Sequence, residues 1–239
     1  MKKTRVISGG KEYQSNSINI ARKIVNYFDD WIVKWINLNE ANISIVTNGE
    51  KIFDVDPLKS KDKSLAKIAF FLKEADIIIW ITPVYMKNVS GVFKVFLDRI
   101  AVYSHTMELA GKLGGILVLS AGSETLSIEQ YLQEIQISMG IKTIFSIGLT
   151  TGDISQDEIQ VQLDKINKGI KEGFFLTNGE LERYFSNLQN IWLSKDTSRF
   201  RNYEKEFYIN NEIEKFNSFQ EYAVYNNSRS LKNEFRKEN

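Results

Sequence analysis

Between Asp76 and Pro83 the chain runs Ile77-Ile78-Ile79-Trp80-Ile81-Thr82, apolar at five successive positions and closed by a proline. A strand with one face in water alternates apolar and polar residues. A strand that is apolar on both faces must be covered on both, which is the position of a central strand in a parallel sheet. Pro83 lacks an amide proton and has a fixed φ, so the strand ends there. The rest of residues 1–177 agrees: short apolar runs alternate with stretches of helical periodicity, the pattern of parallel strands joined by crossover helices.

The expected strands are Arg5-Val6-Ile7, Trp31 to Ile36, Ile77 to Ile81, Gly115 to Leu119 and Lys142 to Ile147. Helical stripes follow them at Ala21, Ile24, Val25 and Phe28; at Leu65, Ile68, Ala69 and Leu72; over Gly91 to Tyr103; at Ile128, Tyr131, Leu132 and Ile135; and at Ile159, Leu163, Ile166 and Ile170. Residues 37–63, polar and broken by Asn48-Gly49 and Pro57, read as a long loop with room for a small hairpin. This alternation predicts an α/β, flavodoxin-like, doubly wound five-stranded parallel sheet of order 2-1-3-4-5, although other five-stranded doubly wound folds share the pattern.

Composition narrows the chemistry. The 239 residues contain no cysteine, which removes disulfides, thiolate nucleophiles, Cys-ligated zinc and iron–sulfur clusters. His105 is the single histidine, so no multi-histidine metal site can form. Lys and Arg (31) nearly cancel Asp and Glu (30), leaving no global field to draw in nucleic acid or an acidic membrane. No run approaches the ~18 apolar residues of a membrane span, and the N-terminus lacks the apolar core of a secretory signal, so a cytoplasmic protein is expected.

From Asn178 onward the composition shifts. Both prolines and 13 of the 14 glycines lie earlier, while 12 of the 29 aromatics fall within residues 178–239. We read residues 1–177 as one domain and 178–239 as an aromatic-rich helical extension. So many aromatic rings need burial, either on the chain's own core, against a second subunit, or as a substrate lid.

In open α/β sheets ligands bind beyond the carboxyl ends of the strands where the strand order reverses, which points to the loops after strands one, three and four. The first runs from Ser8 to Ser17 and delivers hydroxyls and backbone amides to a helix N-terminus, with Ser17 placed as its cap. Taken alone, Ser15-Asn16-Ser17 suits either a phosphate site or a simple cap. The second loop, Thr82 to Gly91, exposes amides and Tyr85 beside the cleft.

Across Ala75 to Arg99, through Thr82-Pro83-Val84-Tyr85 and Val89-Ser90-Gly91-Val92-Phe93-Lys94, the chain resembles the NADPH-dependent FMN reductase family. Ser8-Gly9 with Ser15-Asn16-Ser17, Gly111-Lys112 and the third loop, Ser120-Ala121-Gly122-Ser123, extend the resemblance over about residues 4–150. It implies a flavodoxin-like fold and FMN as cofactor. The phosphate would lie on Gly9, Gly10, Lys11, Ser15, Asn16 and Ser17, the isoalloxazine edge along Pro83, Val84, Tyr85, Met86, Lys87 and Asn88, and the pyrimidine end beside Ser120, Ala121, Gly122 and Ser123. It also implies hydride transfer from NADPH or NADH to FMN and onward to a small-molecule acceptor such as free flavin, a quinone or another electron-poor compound. Separately from the resemblance, we expect a homodimer, with the subunit contact as one of the places open to the C-terminal extension.

The chain departs from the family where Pro-Arg becomes Lys11-Glu12, and where a glycine becomes Lys87, which would be strained if the backbone there needs positive φ. The lack of cysteine separates it from the iron–sulfur flavoprotein branch. His105 stands as a candidate proton donor against a plain loop histidine, and Asp98 with Arg99 as a structural ion pair. Tyr85 is expected either on the flavin or in the core, and Trp31, Trp35 and Trp80 in the core. Two other functions fit less fully: a flavodoxin-type electron carrier, and a flavin-free interaction module.

Overall fold

The computed structural model describes residues 2–10, 16–26, 32–122, 124–150, 156–173, 179–194 and 200–235. Strands β1 (Lys3–Ser8), β2 (Ile32–Asn37), β3 (Ile77–Pro83), β4 (Leu113–Ser120) and β5 (Lys142–Thr150) are all parallel and stand in the order β2-β1-β3-β4-β5. This is the flavodoxin-like topology that the sequence predicts.

β3 lies at the centre because its alternate residues serve two cores. Ile77, Ile79 and Ile81 join Val6, Leu117 and Ile147 on the face covered by α1 (Asn16–Asn26) and α7 (Gln156–Gly173). Ile78 and Trp80 turn the other way, toward α3 (Lys63–Lys73), α4 (Gly91–Arg99) and α6 (Leu126–Ser138). There the Trp80 ring meets Phe93 and Phe96 edge-on, at centroid distances of 5.9 and 6.3 Å. Trp35 is only half-buried on the edge strand β2, where the Arg22 guanidinium covers its ring. Trp31 and Phe28 lie outside the described residues, as does the Ile159 side chain.

Residues 38–62 contain no strand and no hairpin, contrary to one expectation. They form α2 (Leu38–Ala41) and two 3₁₀ turns, Gly49–Phe53 and Pro57–Lys59. Carboxylate and amide side chains bend the chain here: Asn37 accepts the Asn39 amide at 3.0 Å, Asp56 that of Leu58 at 2.9 Å and Asp62 that of Leu65 at 3.1 Å. Each such bond offers the backbone a turn in place of a ladder. The helix expected over 91–103 is also interrupted, α4 being followed by α5 (Val102–Thr106). The Ile100 amide shares the Phe96 and Leu97 carbonyls, tightening the last turn, and Met107 ends α5 in the left-handed region at φ 47°. Asp98 and Arg99 do not pair with each other: Asp98 pairs with Lys94, whereas Arg99 reaches Ser60 Oγ at 3.4 Å. Adjacent helical residues point in different directions.

Helices α8 (Gly179–Leu193), α9 (Asn202–Asn211) and α10 (Phe219–Phe235) pack on the chain's own core. Leu181, Phe185, Tyr208 and Tyr222 bury themselves against Met107, Ala110 and Ile137 at the rim where the strands begin. Hydrogen bonds fasten the contact: Tyr208 to the His105 carbonyl at 2.6 Å, Tyr184 to that of Ser104 at 3.2 Å, and Asn226 to those of Glu108 and Ala110 at 3.1 and 3.0 Å. Tyr203 donates to Glu108 at 2.6 Å, and Glu108 also pairs with Lys73. Burial, followed by the charges of Glu108 and Asp56, pushes the Tyr203 hydroxyl far above the ordinary phenol range, so it remains a donor. Burial raises Glu108 as well, against the pull of Lys73.

Candidate active site

Parallel register brings the carboxyl ends of β1, β3 and β4 to one rim, with Ser8 beside Ile81 and Pro83 beside Leu119. The strand order reverses between β1 and β3, so the loops that leave Ser8, Pro83 and Ser120 border one cleft.

The first loop is pulled tight against the second. The Gly9 amide bonds the Ile81 carbonyl at 2.9 Å, extending the ladder by one residue beyond β1. Ser90 Oγ donates to the Gly9 carbonyl at 3.1 Å, and the Ser90 amide is held by Thr82 Oγ1 at 3.1 Å. A Cβ on Gly9 would stand 2.5 Å from Ser90 Oγ and 3.0 Å from Phe93 Cβ, so no larger residue fits. Asn39 Nδ2 donates to the Gly10 carbonyl at 2.9 Å from the β2 side. Gly10 is buried. Lys11 and Ser15 lie outside the described residues, as do the side chains of Asn16 and Ser17. Helix α1 starts at Asn16, so Ser17 sits inside it instead of capping it.

The second loop is a tight hairpin. Tyr85 and Asn88 exchange both backbone hydrogen bonds, at 2.9 and 3.0 Å, and Met86 and Lys87 form the tip at φ 50° and 60°. Two successive left-handed residues match the type I′ turn, where Asn-Gly is the usual occupant. The strain expected for Lys87 is therefore present, and Met86 shares it. The Val84 amide anchors the hairpin to the Leu119 carbonyl at 2.9 Å. Tyr85 is not a core residue: it is 53% exposed, and Met86 is 98% exposed. In the third loop Ser120 is buried and accepts the Gly122 amide at 3.1 Å, and Gly122 takes φ 135°, open to residues without a side chain. Ala121 is exposed, and Ser123 lies outside the described residues.

His105 is absent from this cleft. Helix α4 starts at the cleft rim and carries the chain back to the opposite one, so α5 ends beside the residues leading into β4. There the His105 ring stacks on Phe53 at 4.4 Å, and Nδ1 lies 2.5 Å from Glu204 Oε1. It does not serve as a proton donor to a ligand in the cleft. Conversely, sequence reasoning passed over Asn39 and Ser90 as clasps of the first loop. The signal for Asn39 was its place just past the second strand, whose carboxyl end adjoins that of the first.

The family model for NADPH-dependent FMN reductase matches residues 3–153. The chain belongs to that family. It is 28% identical over 107 residues to an iron–sulfur flavoprotein from Archaeoglobus fulgidus, an alignment covering 43% of this chain and 48% of that relative. The chain thus spans about half the length of the curated relative it matches. Among solved structures, the apo form of the NADH:FMN oxidoreductase EmoB superposes with TM-score 0.55 and 18% identity, covering 71% of this chain and 88% of that one. Smu.1420 from Streptococcus mutans gives TM-score 0.51 and 18% identity, covering 70% and 97%. Both likenesses concern the fold.

FMN with NAD(P)H as reductant is the cofactor set of the FMN reductase family to which the chain belongs. The residues fit the flavin. Its ring edge requires backbone donors, and the amides of Met86 and Lys87 at the hairpin tip form no hydrogen bond among the described residues. The left-handed Gly122 leaves open space in front of the third loop. Cysteine-ligated clusters have no ligands in this chain.

Proposed function

We propose that this reductase takes hydride from NADPH or NADH onto FMN and delivers it to a small-molecule acceptor: free flavin, a quinone or another electron-poor organic compound. One observation carries the reading. The described cleft residues Gly9, Gly10, Pro83 to Asn88 and Ser120 to Gly122 include no histidine and no carboxylate, while the hairpin tip offers backbone donors. Hydride transfer needs that provision and no acid–base residue. The flavin supplies hydride acceptance and release, and when reduced it bears negative charge near N1. Residues Ser120 to Ser123 are assigned to that end of the ring. Gly9 to Ser17 are assigned to the phosphate, with Ser90 and Asn39 holding the loop backbone in place.

A cytoplasmic location, where NAD(P)H is available, belongs to the same reading, and so does a homodimer. Its support is the exposure of Tyr85 and Met86, apolar surface at the cleft mouth that a second copy would cover. Among the described residues no helix is long and apolar enough to cross a membrane. The test is an anaerobic visible spectrum of the protein with FMN, before and after NADPH and then NADH. A perturbed flavin spectrum that bleaches with either nucleotide supports the reading. A bound flavin that neither nucleotide reduces would indicate an electron carrier, and no bound flavin at large excess would overturn the assignment.

A further inference from the structure

Beside the hairpin lies a cavity of about 470 Å³. Val89, Ile128 and Tyr131 give it an apolar lining, and Lys87, Lys94 and Ser127 are polar residues on its wall. It lies between the second loop and α6, in the groove between α4 and α6. Lys87 and Asn88 of the second loop lie on its wall, so it adjoins the flavin cradle, and no described residue of the first loop lines it.

Two features of this wall call for explanation. Among the described residues its charged lining consists of two lysines and no carboxylate; Lys94 is paired one turn along α4 with Asp98, while Lys87 has no ionic partner among the described residues. Second, Lys87 occupies a left-handed position, φ 60°, that glycine or asparagine would hold with less strain. A strained residue whose charge is met by none of the described residues points to a ligand from outside.

We infer that this cavity is the seat of the electron acceptor, and that the acceptor is an anionic aromatic or quinonoid compound whose ring lies against Val89, Ile128 and Tyr131 while its acidic group meets Lys87 and Lys94. The inference rests on the proposed reductase activity. In the overall reaction NAD(P)H is oxidised and gives up two electrons and one proton by way of the flavin. The quinone takes these together with a second proton from water and leaves as the hydroquinone. Lys87 is thereby the residue that selects for charge, since Lys94 is shared with Asp98.

The test compares 1,4-naphthoquinone-2-sulfonate with its neutral counterpart 2-methyl-1,4-naphthoquinone on the full chain. Binding is followed by tryptophan fluorescence on FMN-free protein and on protein loaded with oxidised FMN. The sulfonate should bind about fivefold more tightly than the neutral quinone, the factor that a unit charge at ~4 Å supplies in water. The preference should shrink as salt is added and vanish in Lys87→Gln, and persist in Lys165→Gln, on the exposed face of α7. With NAD(P)H present, the ratio of kcat/KM for the two quinones should follow the same order. Equal binding of both quinones, or an unchanged preference in Lys87→Gln, would overturn the inference. Displacement of the sulfonate by FMN would also overturn it, because the cavity would then be the flavin's own seat. A failure of FMN to bind sinks the proposed activity separately, and is visible in the absorbance before any quinone is added.

Discussion

Ser90 donates its hydroxyl to the carbonyl of Gly9 across 81 positions of sequence, and an added Cβ on Gly9 would meet that same hydroxyl oxygen at 2.5 Å. One contact thus sets the spacing between the first two loops of the cleft. Ser90→Ala leaves the buried Gly9 carbonyl with only the long contact from Asn39 Nδ2 at 3.5 Å and should cost about 1–2 kcal/mol. Gly9→Ala overfills the same gap, at about 1–3 kcal/mol. Urea unfolding reads both losses, and titration with FMN should show weaker flavin binding in each.

Lys87→Gly should stabilise the fold. Position 87 sits at φ 60° and 86 at φ 50°, and relief of one left-handed side chain is worth about 1 kcal/mol. The unfolding temperature should rise, whereas Lys87→Gln, which keeps the Cβ, should leave it near the starting value. The pair separates backbone strain from charge.

Asp62 gives the acid limb of the stability profile a defined component. Burial tends to raise its carboxyl, but the Ser44 amide and hydroxyl, the Leu65 amide and Arg99 outweigh that and hold it below the ordinary range. A carboxyl depressed in the folded state contributes in full above its unfolded value, about 4, and loses the contribution as pH falls through the folded one. Asp62→Asn keeps a good helix cap and removes the titration. The wild-type advantage over this variant, measured by urea unfolding at pH 7 and again near pH 3, should narrow at the lower pH.

Tyr203→Phe tests what the C-terminal helices do for the molecule. It deprives Glu108 of a 2.6 Å donor at the rim opposite the cleft. A stability loss of about 1–2 kcal/mol is expected, with FMN affinity unaltered. A weakened flavin complex would instead make the extension part of the site.

The central strand was legible because Ile77 to Ile81 leave no face for water, and that one constraint forces a two-sided cover. The loops of the cleft were legible for a related reason, since only the carboxyl ends of such strands carry ligands. Residues 38–62 were not, because Asn37, Asp56 and Asp62 fold it through individual side-chain-to-amide bonds that have no periodicity. The aromatic rings of the tail announced that they would be buried, but their destination depended on Met107, Ala110 and Ile137, which helical spacing does not single out. His105 was misplaced by neglecting that a crossover helix starting at the cleft rim must end at the other.

The two rims of the sheet are occupied by different parts of the chain: the cleft loops at one, and at the other the helices fastened through Tyr203, Tyr208 and Asn226. A molecule with its reactive mouth and its anchored tail at opposite poles has a built-in polarity. Grafted to an electrode or a polymer bead through a cysteine introduced on the exposed face of α9, it would face its mouth outward, accessible to whatever carries electrons in and out.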